Sequence, residues 1–343
     1  MYWLKKKLAE GMMRRSLKER DLSLEELETR HSDPENPLFN DSSYFLGRGE
    51  DGSSMVVRMA FRGAREPEYW LAFHLPGLGS FHLKDLDCKV DQGFKMGNLE
   101  FSCQVPGKQW LITYSGSIEK DGKAHQLDLD LVFEGTRPLV NFKHISKPSD
   151  IAPVLASENW TKDFLQKLKE IKKVHLEQGG SMGGTITIDG KEHAVNWRSI
   201  RDHSWGSRSW LTWKRHVWLG GVLDNGEAFN LSMISYDYLG QLSAGYITQG
   251  DELTYFSVLP SMDSFASTQL IPKKVVIEFT SRDGVIHKLE VSIPRSYDFT
   301  MDGAYFIREG MGDFVLDGIP GMGVAEFGLN LEHYDYSSFE SRH

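Results

Sequence analysis

Strict alternation of apolar and polar residues is the feature that most restricts what this chain can fold into. Leu127, Leu129, Leu131 and Phe133 alternate with Asp128, Asp130 and Val132, and Met55, Val57 and Met59 alternate with Val56 and Arg58. A period of two turns one set of side chains into a core and the other toward water, as in a half-buried antiparallel strand. Tight turns separate the runs. Lys120-Asp121-Gly122-Lys123 joins the run Trp110 to Tyr114 to the leucine run. Asp189-Gly190, Asp224-Asn225-Gly226 and Arg282-Asp283-Gly284 punctuate the second half. Asp-Gly between alternating runs predicts a hairpin. Around the last of these turns, Val275, Ile277 and Phe279 face Leu289, Val291 and Ile293 with matched alternation. Such turn spacing, with 33 glycines and 12% aromatic residues, predicts an all-β chain built of sandwiches or barrels.

Helical signals are confined to two places. Residues 1–30 read as helix, with Leu17, Leu22, Leu24 and Leu27 among charges and a capping box at Ser23-Leu24-Glu25-Glu26. Residues 161–173 set Phe164, Leu165, Leu168 and Ile171 at helical spacing. Residues 31–43 are a turn-rich connector, and residues 146–160 break the strand pattern as a linker. The predicted organisation is an N-terminal helical segment (1–35), a first β unit (36–150), a linker with a helix (151–171), a second β unit (172–336) and a tail (337–343).

Charge and composition remove several function classes. With 39 Lys and Arg against 48 Asp and Glu the chain carries 39 − 48 = −9, so the electrostatics of a nucleic-acid binder are absent. Two cysteines, Cys88 and Cys103, exclude a disulfide scaffold and a cysteine-built zinc module, and read as buried thiols in a reducing, cytoplasmic setting. The twelve histidines show no metal-ligand spacing. The glycine-rich stretch 178–184 leads into a strand rather than a helix, so it is a turn and not a phosphate cradle. No nucleophile elbow occurs. Neither metal nor cofactor is expected. No apolar run reaches the length of a membrane span. Residues 1–20 hold seven Lys or Arg against Glu10 and Glu19. That segment either docks on the folded body as a solvated helix or makes a peripheral membrane contact with Tyr2, Trp3, Leu4 and Leu8 inserted.

One stretch differs from the rest: Asn196-Trp197-Arg198-Ser199-Ile200-Arg201-Asp202-His203-Ser204-Trp205-Gly206-Ser207-Arg208-Ser209-Trp210. Three tryptophans do not belong in a solvated loop, and Arg-Asp-His belongs in a buried strand only where the groups satisfy one another. In an extended chain Arg201, His203 and Trp205 share one face and Asp202, Ser204 and Gly206 the other.

The run Arg201-Asp202-His203-Ser204-Trp205-Gly206-Ser207-Arg208, preceded by His175-Leu176-Glu177-Gln178 and Thr185-Ile186-Thr187-Ile188-Asp189-Gly190, resembles the second domain of the two-domain lipocalin-like superfamily. That superfamily includes AttH-type proteins, carotenoid 1,2-hydratases and fungal survival factors; some fungal Diels–Alderases share the architecture. Uncharacterised animal and bacterial proteins, some called phosphoenolpyruvate synthase-like, are similar. Asn40 to Phe45, Glu68 to Leu71 and the ending Gly318 to Phe327 carry the likeness over residues 36–336. The resemblance implies two lipocalin-like antiparallel β barrels side by side, each able to enclose an apolar ligand. It does not imply one activity.

Two readings of the site follow. As a binding protein for a lipid, isoprenoid or polyene, the chain would use Arg201, Trp205, Arg208, Trp210 and Tyr305 as ligand contacts. As a cofactor-free hydratase, isomerase or cyclase, it would use Asp202, His203 and Glu326 for acid catalysis in a dry pocket. A purely structural role pins Asp202 to Arg201 or Arg208. Glu326 would meet one of those arginines or stand beside Asp202, with Glu309 and Tyr305 reaching the same cavity; the alternative for all three is exposure at a rim. Trp213 and Trp218 fill a barrel. A scaffold with filled barrels, acting through its basic N-terminal helix, is the remaining class. The Thr185–Gly206 hairpin is expected in the second barrel.

Overall fold

The computed structural model describes residues 1–18, 20–170, 173–265 and 271–334. Helices α1 (Tyr2–Ser16) and α2 (Leu24–Leu27) precede strands β1 (Phe39–Arg48), β2 (Ser54–Phe61), β3 (Glu68–Leu75), β4 (Gly79–His82), β5 (Phe94–Met96), β6 (Leu99–Val105), β7 (Gln109–Lys120), β8 (Lys123–Gly135) and β9 (Val140–Asn141). Helices α3 (Pro148–Ser157) and α4 (Lys162–Glu170) lead to β10 (Lys173–Ile188) and β11 (Lys191–Ser207). A second run follows: β12 (Trp213–Leu223), β13 (Ala228–Tyr236), β14 (Leu239–Gln249), β15 (Glu252–Val258), β16 (Lys274–Ser281), β17 (Ile286–Met301), β18 (Tyr305–Leu316) and β19 (Ile319–Asn330).

The fold is all-β, as the alternation predicts, in two large antiparallel sheets. Strands β12 to β19 close a barrel in sequence order, β19 pairing with β12. The other sheet runs β4-β3-β2-β1-β11-β10-β8-β7, and the pair His82↔Glu119 between β4 and β7 brings it round to a ring, with β6 and β5 beyond β7. The hairpins form where Asp-Gly predicts them: Asp121 and Asp189 both hold φ 50°, each followed by a glycine with positive φ.

The boundary between the sheets corrects the expected organisation. Residues 173–207 belong to the first sheet, so the change of sheet falls at residues 208–212 and not at 151–171. The Thr185–Gly206 hairpin forms as expected, but in the first barrel: β10 pairs with β8 from Gly180↔Gly135 to Ile188↔Leu127, and β11 pairs with β1 from Phe39↔Ser207 to Arg48↔Arg198. The physical reason is closure. Of the ring's strands, only β1, β2, β3, β4, β7 and β8 precede the linker, and β10 and β11 supply the staves that join β8 to β1. The linker itself is helical over Pro148–Ser157, with Pro148 in the first turn where its missing N–H costs nothing. The predicted N-terminal helix is split, ending at Ser16 and restarting at α2 behind the Ser23–Glu26 capping box. Ile171 and the tail from 335 lie outside the described residues.

Both barrels are filled by their own side chains. Phe45, Phe73, Trp110, Phe133, Met182 and Trp197 pack inside the first, and Leu219, Phe229, Leu231, Leu289, Phe314 and Phe327 inside the second. A third apolar cluster joins them, with Tyr44, Leu46, Val56 and Trp70 of the first barrel against Tyr297, Tyr305, Ile307 and Met311 of the second. The barrels touch closely at Gly179, where an added Cβ would stand 2.5 Å from that of Ala228. Helix α1 lies on α3 through the fully buried Ala9. Cys88 and Cys103 are free and half-buried, and burial pushes the Cys103 thiol up to about 11.

Candidate functional site

Strand β11 presents its two faces to two different networks, because successive side chains alternate. Arg201, His203 and Trp205 point into the first barrel near its end. Arg201 is 1% exposed; its guanidinium lies over Trp110 and Phe133, donates through Nε to Gln178 at 2.9 Å, and forks onto Glu28, with Nη1 at 3.0 Å from Oε2. His203 contacts the Leu27 carbonyl through Nδ1 and Asp41 through Nε2, both at 2.9 Å. The carbonyl only accepts, so Nδ1 carries a proton. The other Asp41 oxygen accepts from the His31 backbone N–H. Trp205 stacks on the His31 ring at 3.8 Å. The segment around α2 thus plugs the mouth of the barrel, held by the three inward residues of β11.

A cavity of about 820 Å³ lies at this mouth. Val174 and Trp205, paired across β10 and β11, line it beside Leu22, Leu27, Phe39 and Lys173. Charged groups occupy its rim, where Lys143 pairs with Asp21 at 2.7 Å. Lys173 extends over the Trp213 ring at 4.5 Å, and burial, with Arg208 close by, holds its pKa well below that of an ordinary lysine.

The opposite face of β11 looks toward the second barrel. Asp202 contacts His175 Nε2 at 3.1 Å and accepts from Ser204 at 3.3 Å. The same His175 nitrogen lies 2.7 Å from Glu177, whose second oxygen accepts from Tyr246 of β14. Burial opposes a charged imidazole here, yet Asp202 and Glu177 together raise the His175 pKa. The expected Asp202–arginine pair does not form. Arg201 points to the other face, and Arg208 donates to Ser204 at 2.9 Å and lies over Trp210 and Trp213 instead. His175, Glu177 and Asp202 are the one cluster with metal-ligand geometry among the described residues; His175 Nε2 bonds Glu177, while the buried Asp202 Oδ2 has no hydrogen-bond partner.

Glu326 meets neither arginine. It sits directly opposite Glu309 across β18 and β19, on the face toward the first barrel. The two carboxyls face each other across the strand pair; Tyr44 donates to Glu309, and Glu326 pairs with His216, whose Nδ1 lies 2.7 Å from the Tyr305 hydroxyl. Burial, followed by the charge of Glu326, pushes Glu309 well above the usual carboxylate range. Glu326 is also penalised by burial, but His216 overcomes this and lowers it to about 2. Two carboxyls in contact are thereby split into an acid and a carboxylate. Two hydrogen-bonded arms, Tyr44–Glu309 from the first barrel and Glu326–His216–Tyr305 from the second, meet where the two carboxyls face each other. Trp210 stacks on Tyr305 at 5.4 Å, with the Arg208 guanidinium over Trp210 at the same distance.

The expected site residues therefore separate. Arg201, His203 and Trp205 gather at the barrel mouth, while Asp202, Glu326, Tyr305, Trp210 and Arg208 stand between the barrels. Glu28, His31 and His216 complete the networks without a local sequence signal, and Asp41 joins them from the quoted stretch Asn40 to Phe45. Glu177 and His175 stood in a quoted motif whose partners only the fold identifies.

A family model for a domain of unknown function, DUF7064, matches residues 24–330. The chain belongs to the DUF7064 family. The match runs from α2 to the end of β19, through both barrels and the plug, and leaves α1 outside. This DUF7064 chain is similar to the structure of a protein assigned as AttH from Nitrosomonas europaea, with a TM-score of 0.58 and 13% identity over 91% of this chain and 98% of that one. That likeness shows the fold, which is the AttH-like, two-domain lipocalin-like one. Structures of CghA with Sch210972 and of CghA alone align at TM-scores of 0.48 and 0.45 with 8% and 9% identity, over 86% and 87% of this chain and 89% and 90% of theirs, too distant to carry an argument. A search of curated protein sequences finds no match. None of these matches supports the phosphoenolpyruvate synthase-like name. No helix among the described residues is long and apolar enough to cross a membrane.

Proposed function

We propose that the chain binds an apolar or amphipathic small molecule, of lipid, isoprenoid or polyene type, at the mouth of the first barrel. The observation that carries this reading is the cavity of about 820 Å³ walled by Trp205, Leu27, Phe39 and Val174, outside barrels whose interiors are already full. A pocket of this size that sets apolar walls beside many polar and charged groups suits an amphipathic small molecule. Neither Asp202 nor Glu326 lines the cavity, so carriage or sequestration is favoured over acid catalysis on the bound molecule.

The test is fluorescence titration of the full chain with polyene and fatty-acyl probes. Val174→Trp fills the cavity from its wall without removing a contact, and should abolish binding while the fold persists. Trp205→Ala removes about 150–250 Å² of stacking surface and should weaken binding roughly tenfold to a hundredfold. Unchanged affinity in a folded Val174→Trp protein, or no binding of any apolar probe by the unaltered chain, refutes the assignment.

A further inference from the structure

We propose that α1 is a docking surface for an anionic lipid bilayer. Residues 1–18 hold Lys5, Lys6, Lys7, Arg14, Arg15 and Lys18 against the single acid Glu10, a local excess of 6 − 1 = +5 in a chain whose total is −9. A body of that sign is repelled by an anionic surface, so attraction is concentrated in this helix.

The helix is already folded and docked. Ala9 is fully buried against α3, and Lys5 Nζ donates to the Glu158 carbonyl at 2.7 Å. Those contacts use one side. The other side leaves Leu4, Leu8 and Met12, spaced by four residues, 57, 51 and 43% exposed, and Trp3 64% exposed. Leucines and a tryptophan interleaved with Lys7, Arg14 and Arg15 are the composition of a helix that lies in the plane of a membrane interface. The Lys7 ammonium sits 4.0 Å over the Trp3 ring, so cation and aromatic ring are presented together, as at a headgroup boundary. No element among the described residues covers this face, and its charge commits it to a negatively charged partner with an apolar interior. A bilayer containing phosphatidylserine meets both requirements. This inference is independent of the cavity and its ligand.

The experiment is flotation of the full chain with vesicles of phosphatidylcholine alone and of phosphatidylcholine with 30% phosphatidylserine. Each basic residue near such a surface adds roughly fivefold to partitioning, so binding to the serine-containing vesicles should exceed binding to the neutral ones at least tenfold, and should fall in 0.5 M salt. The double substitution Leu4→Glu with Leu8→Glu touches only exposed side chains. It should remove binding while the melting temperature and the titration with apolar probes are unchanged. Arg14→Glu with Arg15→Glu should abolish the preference for phosphatidylserine. Equal partitioning into both vesicle types, or binding that survives the Leu4/Leu8 change, overturns the proposal. So does absence of binding to either, which would assign the stripe to a protein partner instead.

Discussion

Replacing Glu309 by glutamine tests the reading of the buried carboxyl pair. Glu309 is fully buried, and the charge that acts on it most is that of another carboxylate, Glu326, directly opposite across the strand pair. Its folded pKa is raised, so the native chain retains a proton there that the unfolded chain, with a glutamate pKa of about 4.3, has released at neutral pH. The sign follows from linkage. Where the native state binds more protons, stability falls as pH rises, by about 1.4 kcal/mol per pH unit for one proton, until the folded pKa is passed. Over the pH range in which only the folded state holds that proton, this one group therefore lowers stability as pH rises. Glutamine keeps the shape, offers its amide N–H to Glu326 and its carbonyl oxygen to the Tyr44 hydroxyl, and has no proton to lose. The substituted protein should be close to the unaltered one in stability near pH 5 and gain on it steadily toward pH 8. Urea unfolding at pH 5, 6, 7 and 8 measures the difference directly, and comparing the two chains cancels every other titrating group. Parallel stability curves, with a constant offset across that range, would show that Glu309 is ionised in the native state and that the acid–carboxylate assignment is wrong.

Other expectations follow from the same contacts. Glu326, lowered to about 2, contributes stability above the unfolded glutamate pKa that is lost as pH falls toward about 2; Glu326→Gln should flatten the acid limb of the stability profile, and an unchanged limb refutes the His216 pairing. Arg201→Met leaves Glu28 buried without its cation and should cost about 3–5 kcal/mol, with much of the loss recovered by adding Glu28→Gln; strict additivity in the double-mutant cycle would deny the pair. Gly328→Ala would place a Cβ 2.2 Å from His216 Nδ1, so it should displace that ring from Tyr305 and lower stability by about 1–3 kcal/mol; an unchanged melting temperature would refute the close approach.

Local order was legible in the chain because it has local causes. The leucine run at 127–133 alternates with acids, and it forms β8 with the leucines and Phe133 inward. Asp-Gly at 121–122 and 189–190 requires positive φ, and those hairpins close there. Alternation also placed Arg201, His203 and Trp205 on one face and Asp202 on the other. What the residues 196–210 could not state is which barrel they enter, since a strand's pattern shows that one face is buried but not which partner buries it. The Asp202 environment shows the consequence. An Arg on either side in the sequence suggested an ion pair, yet the adjacent Arg201 points through the sheet to Glu28, 173 residues away, and Asp202 meets His175 across β10. The Glu309–Glu326 contact is likewise a matter of register. Two glutamates seventeen positions apart stand opposite only because β18 and β19 pair from Tyr305↔Asn330 to Leu316↔Ile319. Periodicity and turn chemistry act over a few residues and are written in the sequence; ring closure, register and the facing of one barrel by the other are set by the total burial they achieve, and only the tertiary structure decides them.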